Sequence, residues 1–104
     1  MNNNRIYYTL LLHVLKDKYE IFNEYEDRVL PLLSKYSGKL ELRLKTDKSD
    51  SDKDKPDEIH IISFASEADF ESYLNDKERK KYRHLFESSV ERTTLIKGKN
   101  LINI

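Results

Sequence analysis

At 104 residues, with 19 basic and 19 acidic side chains and no cysteine, the chain is bounded to a single domain without disulfide or thiolate chemistry. Its formal net charge of zero supplies no global field to draw in nucleic acid or an anionic membrane. The opening Met1-Asn-Asn-Asn-Arg5 lacks the basic region and apolar core of a signal peptide, and the longest apolar run, Ile6–Val14, is too short to cross a bilayer, so a soluble, cytoplasmic protein is expected.

Arg5–Val14 is rich in Tyr, Leu, Thr and Val and is predicted to be the first strand. On a period of two, Ile6, Tyr8, Leu10, Leu12 and Val14 share one face, while Tyr7, Thr9, Leu11 and His13 share the other. Both faces are largely apolar, as in a central strand. Asp17 followed by Glu20 matches a capping box and predicts a helix from there. Helical spacing continues through Phe22, Tyr25 or Glu26, Val29, Leu33 and Tyr36. Pro31 interrupts this run and predicts a kink, and Gly38 is expected to end it in the left-handed conformation.

Lys39–Lys45 alternates strictly, with Leu40, Leu42 and Leu44 on one face and Lys39, Glu41, Arg43 and Lys45 on the other. Charge at every second position suits an edge strand that must not recruit stray partners. Residues 46–57 hold no apolar side chain except Pro56 and predict a long, mobile hairpin loop. Glu58–Phe64 is the third strand, followed by Ser66 as a helix cap with Asp69 at the third helical position. Phe70, Tyr73 and Leu74 form the stripe of that helix. Asp76 can cap a second segment bearing Tyr82, Leu85 and Phe86. Glu91–Lys97 is the last strand, Gly98 breaks it, and Leu101-Ile-Asn-Ile104 is a short apolar tail.

The order β-α-β-β-α-β predicts an α+β, ferredoxin-like domain over residues 1–104, with its core at about 6–98. A four-stranded antiparallel sheet then carries its helices on one face, with the first and third strands central. The other face, with Tyr7 and Leu11, would be an apolar patch facing water. Since monomers rarely tolerate a large one, the chain is expected to pair with itself through the open face.

The chain resembles the dimeric α/β-barrel superfamily of ferredoxin-like domains, and within it the domain-of-unknown-function 1330 family. The residues that carry the likeness are Tyr25-Glu26, Leu30-Pro31-Leu32 and Tyr36-Ser-Gly38, then Glu58 through Ser66, Asp69-Phe70, Tyr73, Asn75-Asp76, Glu78-Arg79, and Arg92 through Gly98. The resemblance implies a homodimer of face-to-face sheets. It implies no particular chemistry, because the superfamily spans monooxygenases, haem-degrading enzymes, isomerases and proteins without known activity. The sequence lacks the tryptophan of the haem-degrading branch and the His–Asp pair of another small-enzyme branch.

Three histidines are available, and His13 and His60, on the two central strands, are candidates for moving a proton. His84 lies in a charged helical segment and is read as solvated. No histidine pair has metal-ligand spacing and there is no glycine-rich phosphate loop, so neither a metal nor a cofactor is expected. Tyr7, His13 and Arg43 fall on the phase assigned away from the helices and could orient a small carboxylate or phenolic ligand, with Arg92 as a weaker companion. The structural alternative pairs Arg43 with Glu41 or with an acid across the interface. His60 is open to both phases: beside Ile62 and Phe64 under the helices, or facing the cavity between subunits. The basic run Lys77, Arg79, Lys80, Lys81 and Arg83 is interspersed with acids and reads as a paired helix surface, so nucleic acid is not an expected partner. The leading expectation is small-ligand binding or a structural role. The alternative is a cofactor-independent enzyme on a small organic acid or phenolic metabolite.

Overall fold

The computed structural model describes residues 4–102. Strand β1 (Ile6–Val14) leads through a tight turn into helix α1 (Tyr19–Val29), which continues as a 3-10 helix over Leu30–Tyr36. Strands β2 (Lys39–Lys45) and β3 (Glu58–Phe64) follow, then helices α2 (Glu67–Leu74), α3 (Lys77–Lys81) and α4 (Arg83–Ser89), and strand β4 (Val90–Gly98). The sheet runs β2-β3-β1-β4 and every neighbouring pair is antiparallel, as the ferredoxin-like order requires. The two most apolar strands are central and the charged ones lie at the edges.

Local chemistry fixes several element ends where expected. Ser66 accepts a hydrogen bond from the Asp69 amide at 3.1 Å, and Asp76 accepts one from the Arg79 amide at 2.8 Å. Others differ. Asp17 does not cap α1: it takes a positive φ of 65° in the turn, and Lys18 precedes the helix without a side-chain cap. A short polar side chain tolerates that conformation, and the turn claims Asp17 for it. Pro31 does not kink a continuous α-helix. It stands in the first turn of the 3-10 segment, where a missing amide proton costs little.

The left-handed residue after that segment is Ser37, with φ 62°, rather than Gly38. Gly38 is required for another reason. A Cβ there would lie 2.8 Å from the Leu33 carbonyl oxygen and 2.8 Å from Phe64 Cε1. Gly38→Ala is therefore expected to destabilise the fold by about 1–3 kcal/mol, the range of overpacking, in urea unfolding; an unchanged midpoint would show that β2 can retreat freely.

The second strand holds the main departure. Its pairing with β3 slips between Leu40 and Leu42, so Glu41 and Leu42 together oppose a single register step. The strict alternation of the sequence breaks there. Leu40 pairs with Ile62 on the helix side, Leu42 and Leu44 pair with Ile61 and Ile59 on the open face, and Arg43 pairs with His60 beneath the helices.

The core lies between sheet and helices as two clusters. One joins Tyr8, Leu32, Leu33, Ile62, Phe64 and Tyr73; the other joins Leu12, Phe22 and Val90, and Leu10 packs against both. The loop over 46–57 is tied down at its end, where Asp57 accepts a hydrogen bond from the Val14 amide and donates its own amide to the Leu12 carbonyl. Of the expected apolar tail, Leu101 and Ile102 are exposed, while Asn103 and Ile104, like Met1–Asn3, fall outside the described residues.

Candidate functional site

Period two along β3 sends Glu58, His60, Ile62 and Phe64 to the helix side, where all four are buried. Helical spacing along α1 sends Phe22, Tyr25, Glu26 and Val29 down to meet them. Two carboxylates thereby flank one imidazole in the interior. His60 Nε2 lies 2.7 Å from Glu58 Oε1, and Nδ1 lies 3.5 Å from Glu26 Oε2. Glu58 is further met by Arg43, whose Nε donates at 2.8 Å and whose Nη2 also reaches Asn23 Oδ1 at 3.0 Å, and by the Tyr19 hydroxyl. Phe22 closes the group, with its ring beside both the imidazole and the Arg43 guanidinium.

The two carboxylates are pushed in opposite directions. Burial alone would raise Glu58, but hydrogen bonds from His60, Arg43 and Tyr19 outweigh it and bring the carboxyl down to about 2. Burial dominates at Glu26 and raises its pKa, although the charges of His60 and Arg43 oppose the shift. Glu58 is thus a fixed anion that accepts the Nε2 proton. On the other side of the ring, Nδ1 faces the Glu26 carboxyl, the one of the two acids that burial moves toward its neutral form.

Glu26 and His60 also form part of a cavity wall. Leu10 lies at the seam between the two core clusters, and there the packing leaves a space of about 210 Å³ between the sheet and helices α1, α2 and α4. Its surface is mainly apolar, with Tyr25, Phe70, Tyr73 and Phe86 supplying rings and Glu26, His60 and Arg79 supplying polar groups. Burial pushes the Tyr25 phenol up to about 12 and raises Tyr73 too, so both hydroxyls are neutral near pH 7. Among the described residues no three histidine, aspartate or glutamate side chains are grouped so as to hold a metal ion.

The residues singled out from the sequence scatter. His60 faces the helices, not the open face. His13 points to the open face and is buried beside its register partner Arg92, so the two histidines do not meet across the central strands. Burial and the nearby positive charges of Arg92 and Lys48 lower the pKa of His13. Tyr7 is half-buried on the open face, in a shallow groove with Leu42, Ile61 and Ile96. Arg92 is exposed there. Arg43 is a correction: the β2 bulge carries it to the helix side, where its partner is Glu58 of the neighbouring strand rather than Glu41 or a second subunit. His84 is exposed on α4, with its Nδ1 3.1 Å from the Lys81 carbonyl. Tyr7, His13, Arg43 and Arg92 thus form no single site within one chain.

Sequence reasoning missed Glu26, Glu58, Tyr25, Tyr73 and Arg79. One signal was available: Glu58-Ile-His60 puts acid and imidazole on one strand face, in phase with the apolar Ile62 and Phe64.

Neither a protein-family model nor a curated protein matches the chain. Solved structures do. A protein of unknown function from Rhodopseudomonas palustris superposes with a TM-score of 0.77 at 19% identity, over 96% of this chain and 85% of that one. A dimeric protein of unknown function with a ferredoxin-like fold, from Bacteroides fragilis, gives 0.70 at 11% identity, over 96% and 100%. A candidate antibiotic biosynthesis monooxygenase from Nitrosomonas europaea gives 0.75 at 13% identity, over 98% and 95%. At these identities the likeness establishes the ferredoxin-like fold and nothing finer. No helix among the described residues is long and apolar enough to cross a membrane.

Proposed function

We propose that the chain is a cytoplasmic, homodimeric small-ligand-binding domain of the dimeric α/β-barrel type, in the domain-of-unknown-function 1330 family, and that its ligand lies between helices and sheet. The observation that carries this reading is the cavity of about 210 Å³ with aromatic walls and the Glu26–His60 pair in its lining. Apolar walls with a few polar groups are the usual make-up of a small-molecule site. The open sheet face is left for assembly. Leu42, Leu44 and Ile96 are exposed on it beside the half-buried Leu11, Ile59 and Ile61. That is an apolar surface a monomer would leave wet.

A second reading, proton-transfer catalysis without a cofactor, is favoured by one observation. Glu26 is a buried carboxyl beside an imidazole, and its raised pKa suits it to hand a proton to a bound ligand, with His60 held in place by Glu58.

The cavity itself is testable with the plainest probe. An apolar space of about 150 Å³ is known to admit benzene. Titrating benzene into the protein is expected to shift the methyl resonances of Leu10, Val29 and Leu95, which line this cavity, and to leave those of Leu101 unmoved. Unmoved Leu10 and Val29 methyls at saturating benzene would remove the ligand site.

A further inference from the structure

Among the described residues, Arg79 carries a buried side-chain donor without a partner. Its backbone amide is used by the Asp76 cap, and its guanidinium stands 4.8 Å over the Tyr73 ring, with Nη1 no closer than 3.5 Å to the Leu74 carbonyl. Its Nε is buried and has no hydrogen-bond partner among the described residues. A buried donor on a charged group is costly to leave unpaired, so a missing acceptor is the physical expectation.

The surroundings say what kind of acceptor fits. Arg79 lines the aromatic cavity and also a second, outer hollow of about 330 Å³. The two share Tyr25, Leu74, Arg79 and Phe86, so the second hollow adjoins the first and is taken as its vestibule. The vestibule adds Lys80, Arg83 and Glu87, and Glu87 is taken by Arg83 at 3.0 Å. Positive charge therefore remains in excess at the mouth, with Arg79 at its junction with an apolar interior.

From this geometry we infer that the cavity takes a monocyclic aromatic monocarboxylate, its ring among Tyr25, Phe70, Tyr73 and Phe86 and its carboxylate on Arg79 at the vestibule. The inference rests on the cavity being a ligand site at all. The size is right for one ring and a short acid arm, since about 150 Å³ suffices for benzene and this space is about 210 Å³. Ring-on-ring contact favours an aromatic over an aliphatic body. A guanidinium meets a carboxylate through charge-assisted bonds about twice as strong as neutral ones. Among the described residues Glu26 is the only carboxyl lining this cavity, and its burial favours the neutral form, which lessens the repulsion an incoming anion would meet.

Phenylacetate, its neutral isostere phenylacetamide and the cation 2-phenylethylamine, each titrated into the wild-type protein alongside benzene, separate the possibilities. Phenylacetate is expected to bind about tenfold or more tightly than phenylacetamide, in line with a charge-assisted contact, and to lose that advantage in Arg79→Met. The wild-type series carries the test if the variant folds poorly. Equal binding of acid and amide, tighter binding of the amine, or an acid preference that survives in Arg79→Met would each overturn the anion inference while leaving the cavity as a ligand site. Failure of all four probes, benzene included, would overturn both.

Discussion

Replacing Glu58 by glutamine is expected to cost about 3 kcal/mol of folding stability near neutral pH, the low end for breaking a buried ion pair from one side. Glu58 is buried and serves three donors at once: His60, Arg43 and Tyr19. Glutamine keeps the shape but removes the charge, and one of its two terminal atoms becomes a donor facing donors. The cost stays at the low end because Arg43 keeps about a quarter of its side chain in water. Its pH dependence has a definite sign. The carboxyl sits at about 2 in the fold against an ordinary 4.5, so its contribution is complete above 4.5 and drains away as pH falls toward 2. Glu26 works the other way. Its raised pKa means that above 4.5 the unfolded chain ionises while the folded one holds its proton, so stability falls as pH rises from there. Urea unfolding across about pH 2 to 8 should show the acid-side slope flattened in Glu58→Gln. Glu26→Gln should lose the opposite slope and be no less stable than wild type at neutral pH. A Glu58→Gln protein within about 0.5 kcal/mol of wild type, the scale of an ordinary surface change, would deny the network any structural role.

If the chain pairs through its open face as proposed, Ile61→Glu is expected to turn that dimer into a monomer while leaving the subunit folded. Ile61 is half-buried in the middle of the open face, opposite Leu42 and beside Thr9 of β1, and touches none of the core clusters. A carboxylate there would have to be desolvated in the proposed sheet-to-sheet interface without a partner. A penalty of about 4 kcal/mol raises the dissociation constant roughly a thousandfold. Sedimentation equilibrium at micromolar concentration should halve the apparent mass, with unchanged far-ultraviolet circular dichroism. A wild-type monomer would sink the proposed assembly, and a variant that stays dimeric would place the interface elsewhere.

What could be read from the chain was what local chemistry decides. Ser66 and Asp76 cap because each stands in extended backbone with its side-chain oxygen facing the amide three residues on, and β1 and β3 are central because both their faces are largely apolar. The bulge in β2 was invisible for a physical reason. An alternating run of Leu and charged residues satisfies an edge strand in either register, so nothing in Lys39–Lys45 marks Glu41 as the extra residue; only its pairing with β3 does. That one slip takes Arg43 from the open face to Glu58. Glu26 was legible as part of a helical stripe, shared with Tyr25, but its burial depends on His60 waiting beneath it. Asp17 misled because a capping box and a left-handed turn recruit the same residue type.

The placement of β1 between β3 and β4 also has a kinetic side. The strand at one end of the chain is finished on one edge only when the strand at the other end arrives, Ile6–Val14 pairing with Val90–Gly98. Every such closure spans most of the sequence, so loop entropy is spent before the contact rewards it, which slows folding. On a ribosome, β1 would emerge long before its last neighbour, holding out a bare apolar edge. An edge of that kind is what makes a folding intermediate prone to aggregate, so the danger to this chain falls during its synthesis as well as after it.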